Sequence, residues 1–136
     1  MEKYYLKNDL KVFGTQVKTF PEGVGAAFDT LIKMLPDGLE RQYYGISYME
    51  DNAIIYKATV LEKYEGEAEK YDCEQYIIEE GEYLTETVHG WPKKTDCIKD
   101  VFHDLMQDSR IDKTSPCVEW YKNNDEMLCM IKTSIN

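Results

Sequence analysis

The stretch Pro116-Cys117-Val118-Glu119-Trp120-Tyr121 decides how the second half of this chain folds. Its apolar residues alternate as in a strand with one buried face, and alternation puts Glu119 on the face of Cys117 and Tyr121. A carboxylate there either points to water, as on an exposed edge strand, or lies in a half-buried site. In the second case a cation, a proton or a hydrogen-bond donor must stabilise it, which would make Glu119 a natural anchor for a ligand. The residues alone leave both alternatives open.

The same strand belongs to the second copy of an internal repeat. Phe20-Pro21 and Trp91-Pro92 each place an aromatic residue before a Pro at a predicted helix start. Each helical pattern follows one strand pattern and precedes two more. The predicted helices cover residues 21–35 and 92–106, and the predicted strands cover 11–19, 43–48, 54–60, 81–88, 117–121 and 127–135. The unit strand-helix-strand-strand therefore occurs twice, in pseudo-repeats at 11–60 and 77–135.

This repeat predicts an α+β fold. A module of this size buries its own sheet poorly, so we expect the duplicated β-α-β-β modules to form one antiparallel sheet with the two main helices on one face. A groove is predicted at the pseudo-twofold axis, because grooves between repeats commonly hold ligands. A length of 136 residues fits a single domain spanning residues 1–136.

Composition argues against several classes of function. The formal net charge is −10, and the Lys and Arg residues are scattered among acids, so direct nucleic-acid binding is not expected. No apolar run approaches the roughly 20 residues that cross a membrane, and no apolar signal segment opens the sequence, so a cytoplasmic location is the default expectation. The acidic stretch at residues 62–70 is expected to be a solvated connector, or else a surface that attracts cations.

Cysteine and histidine spacing indicates neither a metal site nor a cofactor. The four cysteines show no CxxC spacing and the chain has two histidines, so we predict reduced thiols and no zinc. No phosphate-binding loop or serine-histidine-acid order is present either.

Aromatic residues supply the predicted walls of a ligand site. Eleven tyrosines against four phenylalanines favour rings that pack on one side and hydrogen-bond on the other. A carboxylate ringed by aromatic faces is suited to an organic cation. The predicted ligand-binding residues are Glu119, Trp91, Trp120, Tyr44, Tyr48, Tyr56, Tyr83 and Tyr121.

The chain resembles a gyrase-inhibitor-like (GyrI-like) effector-binding domain of the stand-alone branch. The resemblance is carried by the first helix start at residues 20–28, Tyr44-Gly45-Ile46-Ser47, Glu80-Gly81-Glu82-Tyr83 and the closing stretch at residues 117–121. Related modules form the ligand-binding half of multidrug-responsive transcription regulators. The resemblance implies a small-molecule-binding domain for aromatic or cationic ligands, with Glu119 matching the pocket acid.

A departure from the family pattern suggests an alternative. Where many members carry Gly-Pro-Tyr, this chain has His89-Gly90-Trp91-Pro92, which is similar to members that hydrolyse cyclopropane-bearing alkylating toxins. In such a hydrolase Glu119 would activate a water, Tyr44 or Tyr83 would donate to the developing oxyanion, and Trp91 and Trp120 would sandwich a flat substrate. A third hypothesis is a protein partner such as a topoisomerase, inhibited by an acidic surface that mimics DNA.

Overall fold

The computed structural model describes residues 1–134 as two compact units. The first unit is Leu10–Ile78, and the second combines Met1–Asp9 with the chain from Glu79 onward. In chain order the elements are β1 (Glu2–Leu6), β2 (Leu10–Gln16), α1 (Val24–Met34), β3 (Tyr43–Glu50), β4 (Ala53–Leu61), α2 (Glu67–Lys70), β5 (Glu74–Ile78), β6 (Gly81–His89), α3 (Ile98–Met106), β7 (Cys117–Tyr121) and β8 (Glu126–Lys132). Antiparallel strands combined with helices confirm the predicted α+β class.

Each unit is built on the same plan. The strand order is β3-β4-β2-β5 in the first unit and β7-β8-β6-β1 in the second. The predicted strand-helix-strand-strand module is thus present twice, and each copy gains an outer strand that the sequence patterns did not reveal. In the second unit this strand comes from the start of the chain, where Tyr4 pairs with Tyr83.

The β3–β4 connection is tighter than predicted. Met49 and Glu50 belong to β3, where Met49 pairs with Ile54, so only two residues form the turn. Asp51 and Asn52 both have positive φ, at 50° and 64°. Two such residues in succession suit the two-residue hairpin turn whose twist matches that of the strands.

The second main helix begins later than the sequence predicts. Residues Trp91–Lys93 and Thr95–Cys97 form short 3-10 turns, and the α-helix begins at Ile98. The backbone amides of Gly90 and Trp91 donate to the Asp125 carbonyl oxygen, so this segment is tied to the β7–β8 turn instead of entering the helix. The last predicted strand ends at Lys132, and its predicted end at residue 135 lies outside the described residues.

Each main helix covers one face of the sheet in its own unit, which we call the helix side. In the first unit Leu31 of α1 packs with Tyr56 and Ala58 of β4. In the second unit Phe102 and Leu105 of α3 pack with a larger set of strand residues: Leu84, Val88, Cys117, Met127, Cys129 and Ile131. These contacts fix which residues of each strand face its helix.

The acidic stretch at residues 62–70 differs from the solvated connector that we expected. Its Glu67 is buried and receives both guanidinium nitrogens of Arg41, at 2.7 and 3.0 Å. The backbone amide of Lys63 donates to the same carboxylate at 2.8 Å. Sequence composition could not show this pairing, because Arg41 lies 26 residues away along the chain.

Among residues 1–134, no helix is long and apolar enough to cross a membrane.

Candidate functional site

Glu119 lies in the middle of β7 with its side chain on the helix side of the second unit. It pairs with Cys129 of β8, and both Cys129 and Cys117 belong to the core that packs on α3. Only 9% of Glu119 is exposed. The structure therefore selects the buried alternative for this carboxylate over the solvated edge.

Two aromatic residues accompany Glu119, and we call the three residues the Glu119 cluster. The Tyr121 hydroxyl donates to Oε1 of Glu119 at 2.6 Å, a short hydrogen bond of the charge-assisted kind. The Trp91 ring packs edge-on against the Tyr121 ring, with centroids 4.9 Å apart and planes at 67°. The Trp91 indole Nε1 donates to the Asn123 carbonyl oxygen at 2.8 Å. The buried acid thus contacts the Tyr121 hydroxyl, and the Tyr121 ring in turn contacts the Trp91 indole.

Burial and the charge of Glu119 both affect the pKa of the neighbouring Cys129 thiol. Burial raises the pKa of Cys129 well above its ordinary value, and the negative charge of Glu119 raises it further. Cys117 and Glu86 add smaller effects in the same direction. Cys129 is consequently a neutral core thiol at physiological pH and not a nucleophile.

We predict that the four cysteines differ sharply in reactivity. Cys97 is exposed, Cys73 is half-buried, and Cys117 and Cys129 are buried. Burial raises the pKa of Cys73, and the charge of Asp72 raises it further. Titration with a disulfide reagent at pH 8 should label Cys97 first and Cys73 more slowly, and should reach the other two only in denaturant. Cys97→Ala is the control that should remove the fast phase. Rapid labelling of Cys129 in the native protein would contradict this order.

Trp120 does not join the Glu119 cluster. Side chains alternate along β7, so Trp120 faces away from the helix side. Its ring lies 5.9 Å from the Tyr4 ring and 5.7 Å from the Lys122 ammonium nitrogen. The predicted sandwich of a flat ligand between Trp91 and Trp120 is therefore wrong, because the two rings lie on opposite sides of one strand.

Tyr83 also points away from the helix side. Its neighbour Leu84 is in the core under α3, and the Tyr83 hydroxyl donates to the Glu79 carbonyl oxygen at 2.5 Å. Burial raises the Tyr83 pKa to about 12. The structure does not place this hydroxyl where it could assist chemistry at Glu119.

In the first unit, Tyr56 is the predicted site residue on the helix side. It is buried against Leu31, and the exposed Phe20 stacks on it with ring centroids 5.2 Å apart and planes at 19°. Phe20 was not among the predicted ligand-binding residues, because its place before Pro21 indicated only a helix start. The sequence feature that could have indicated this contact is an aromatic residue just before the start of α1, close to the strand face that α1 covers.

Tyr44 and Tyr48 lie on the opposite face of that sheet. Tyr44 pairs with Thr59, whose hydroxyl donates to the Tyr44 carbonyl oxygen at 2.8 Å, and Tyr48 pairs with Ile55. It is Tyr43 that faces the helix, with its ring edge-on to Phe28 at 6.1 Å. Strand register decides which of the adjacent residues Tyr43 and Tyr44 faces the helix, and this register could not be predicted from the sequence.

Solved structures that resemble this one over nearly all of the chain include the following three. An integron cassette protein from the mobile metagenome of Vibrio cholerae has a TM-score of 0.70 at 13% identity, covering 97% of this chain and 94% of that chain. SAV2435, bound to tetraphenylphosphonium, has a TM-score of 0.64 at 15% identity, covering 98% and 93%. A Staphylococcus aureus MU50 protein named for bacterial transcription regulation has a TM-score of 0.58 at 12% identity, covering 96% and 97%. This chain shares their fold.

At such low identity the likeness shows the fold alone. No protein-family model matches this sequence, and no curated protein does either. Within residues 1–134, no three His, Cys, Asp or Glu side chains come together as ligands for a metal ion.

Proposed function

We propose that this chain is a GyrI-like domain, spanning residues 1–136, that binds aromatic organic cations with Glu119 as the charged anchor. The observation that carries the proposal is a buried carboxylate that accepts from a tyrosine hydroxyl, with an indole packed on the ring of that tyrosine. A buried carboxylate gains most from a cation that brings its own positive charge and little hydration. Aromatic faces add attraction through their ring quadrupoles.

Two further observations support this class of ligand. Tetraphenylphosphonium, the ligand in one of the similar structures, is an aromatic organic cation. Small-molecule binding also suits the regulatory name of a second similar protein.

The geometry favours binding over hydrolysis. A hydrolase needs a donor for the developing oxyanion close to the group that activates water. Tyr83 faces away from Glu119 within the second unit, and the Tyr121 hydroxyl donates to Glu119 itself. Binding needs no such donor, so we propose the binding function.

The test is titration calorimetry with tetraphenylphosphonium. Glu119→Gln keeps the shape of the side chain and removes its charge, so the dissociation constant should rise by about 5- to 150-fold, the equivalent of about 1–3 kcal/mol for a charge-assisted contact. Thermal unfolding should show that the variant stays folded or becomes more stable, since a buried charge is removed.

Glu80→Gln is the matched control, because Glu80 is an exposed residue of the same unit. This substitution changes the net charge by the same amount as Glu119→Gln. We expect its dissociation constant to stay within about twofold of the wild type, since exposed charges are screened. Equal weakening by the two variants would mean that tetraphenylphosphonium responds to overall charge, and unchanged binding by Glu119→Gln would remove Glu119 as the anchor.

A further inference from the structure

Trp91 is held in the Glu119 cluster by a turn and not by a helix or strand. It follows Gly90, whose φ of 67° lies in the left-handed region, and it opens a single 3-10 turn. A residue in such a segment has no regular hydrogen-bond ladder to fix it. Its position must come from neighbours outside the segment.

Those neighbours are residues of the β7–β8 turn. The Gly90 amide donates to the Asp125 carbonyl oxygen at 2.7 Å and to Oδ1 of the Asp125 side chain at 2.9 Å. The Trp91 amide donates to the same carbonyl at 3.3 Å, and the Trp91 indole donates to the Asn123 carbonyl at 2.8 Å. Four hydrogen-bond contacts therefore join two consecutive residues to one turn.

The turn is itself braced from within. Oδ1 of Asn123 accepts from the amides of Asp125 and Glu126, at 2.8 and 2.7 Å. Short polar side chains that bond their own backbone two or three residues on are typical of ordered turns. The Asp125 carboxylate is the one side-chain acceptor among the contacts that reach Gly90 and Trp91 from this turn.

We infer that Asp125 is a positioning residue of the ligand site: its Oδ1 holds Gly90, and so keeps the Trp91 ring against Tyr121 beside Glu119. The identity of the ligand in this inference rests on the proposed function. The placement of Trp91 does not, because it follows from the hydrogen bonds alone. Asp125 acts as a hydrogen-bond acceptor and not as a charge, because its side chain is 67% exposed and a charge there is screened by water. Its other oxygen lies 3.4 Å from Nδ1 of His89, which is equally exposed.

Two substitutions separate geometry from charge. Asp125→Asn removes the charge but keeps an oxygen acceptor at the same reach, whereas Asp125→Ala removes both. Made in a Trp120→Phe background, the variants leave Trp91 as the only tryptophan, so its emission reports the ring directly. Ligand-free fluorescence, acrylamide quenching and tetraphenylphosphonium affinity are then measured for each full-length variant.

We expect Asp125→Ala to shift the Trp91 emission to longer wavelength, to increase acrylamide quenching and to weaken tetraphenylphosphonium binding by about 2- to 12-fold, the equivalent of one lost hydrogen bond. Asp125→Asn should match the parent within about twofold in all three. Asp125→Ser, whose hydroxyl is too short to reach Gly90 in the same way, is a second variant expected to follow Asp125→Ala if that protein folds poorly.

Unchanged Trp91 emission and quenching in Asp125→Ala would overturn the positioning role, whatever the affinity does. Equal weakening of binding by Asp125→Asn and Asp125→Ala would assign the effect to charge and overturn it as well. The ligand-free signal of Trp91 does not depend on the identity of the ligand. Failure of Glu119→Gln to weaken binding would therefore count against the proposed function and leave this result standing.

Discussion

Arg41→Ala should lower the free energy of unfolding by about 3–5 kcal/mol, because it leaves a buried carboxylate without its partner. The side chains of Arg41 and Glu67 are 7% and 3% exposed, and two guanidinium nitrogens bind the two carboxylate oxygens. Arg41 Nη2 also donates to the Leu61 carbonyl oxygen at 2.7 Å. One substitution thus removes both the contacts that hold Glu67 of α2 and the hydrogen bond to Leu61.

Urea unfolding monitored by circular dichroism measures this effect. Arg110→Ala is the matched control, since Arg110 pairs with Asp108 at 2.7 Å but is 41% exposed. An exposed pair contributes at most about 1 kcal/mol. The double change Arg41→Met with Glu67→Leu should recover most of the loss, because two apolar side chains need no partner. Similar losses in the two single variants would show that burial does not decide the strength of these pairs.

The same pair predicts a dependence on pH. Burial opposes ionisation of Glu67, but hydrogen bonds from Arg41 and from the Lys63 amide outweigh it and hold the Glu67 pKa below its ordinary value of 4.5. A carboxyl with a lowered folded pKa stabilises the fold fully above its unfolded pKa, and this contribution is lost as the pH falls through the folded value. Acid should therefore destabilise the wild type more than the Met/Leu double variant.

Gly14→Ala should lower the free energy of unfolding by about 3 kcal/mol or more, at the upper end of overpacking effects. A Cβ at Gly14 would lie 1.8 Å from the Ala58 carbonyl oxygen and 2.8 Å from the Ala58 carbonyl carbon and the Thr59 Cα. These are backbone atoms of β4, which pairs with β2 here, so the strands would have to separate. A flexible side chain could turn aside, but a paired backbone cannot.

Gly25→Ala is the matched control for Gly14→Ala. Gly25 is in α1, and a Cβ there would meet nothing within 4 Å. Ala is the better helix former, so this variant should be more stable than the wild type by about 0.5–1 kcal/mol. Thermal melts of the two variants should move in opposite directions, and a native-like melting temperature for Gly14→Ala would show that β2 and β4 are less closely paired than described.

The sequence determined the repeat and the fold class, because both depend on local patterns. Apolar residues at helical spacing placed α1 and the later part of α3, and alternation placed β3, β4, β6 and β7. These signals need no knowledge of which strands pair. The outer strands β1 and β5 escaped detection because their apolar residues are adjacent, as in Tyr4-Tyr5 and Ile77-Ile78, and do not alternate with polar ones. Pairing with β6 and β2 establishes them.

Tertiary structure decided which residues can act together. Alternation in the sequence put Glu119 on the strand face of Tyr121, but only the pairing of β7 with β8 and the packing of α3 showed that this face is the buried one under the helix. The choice of Tyr43 over Tyr44 depends in the same way on what α1 covers. Contacts between residues far apart in the chain, such as Trp91 with Asn123, leave no local pattern because they form only when the chain has folded around them.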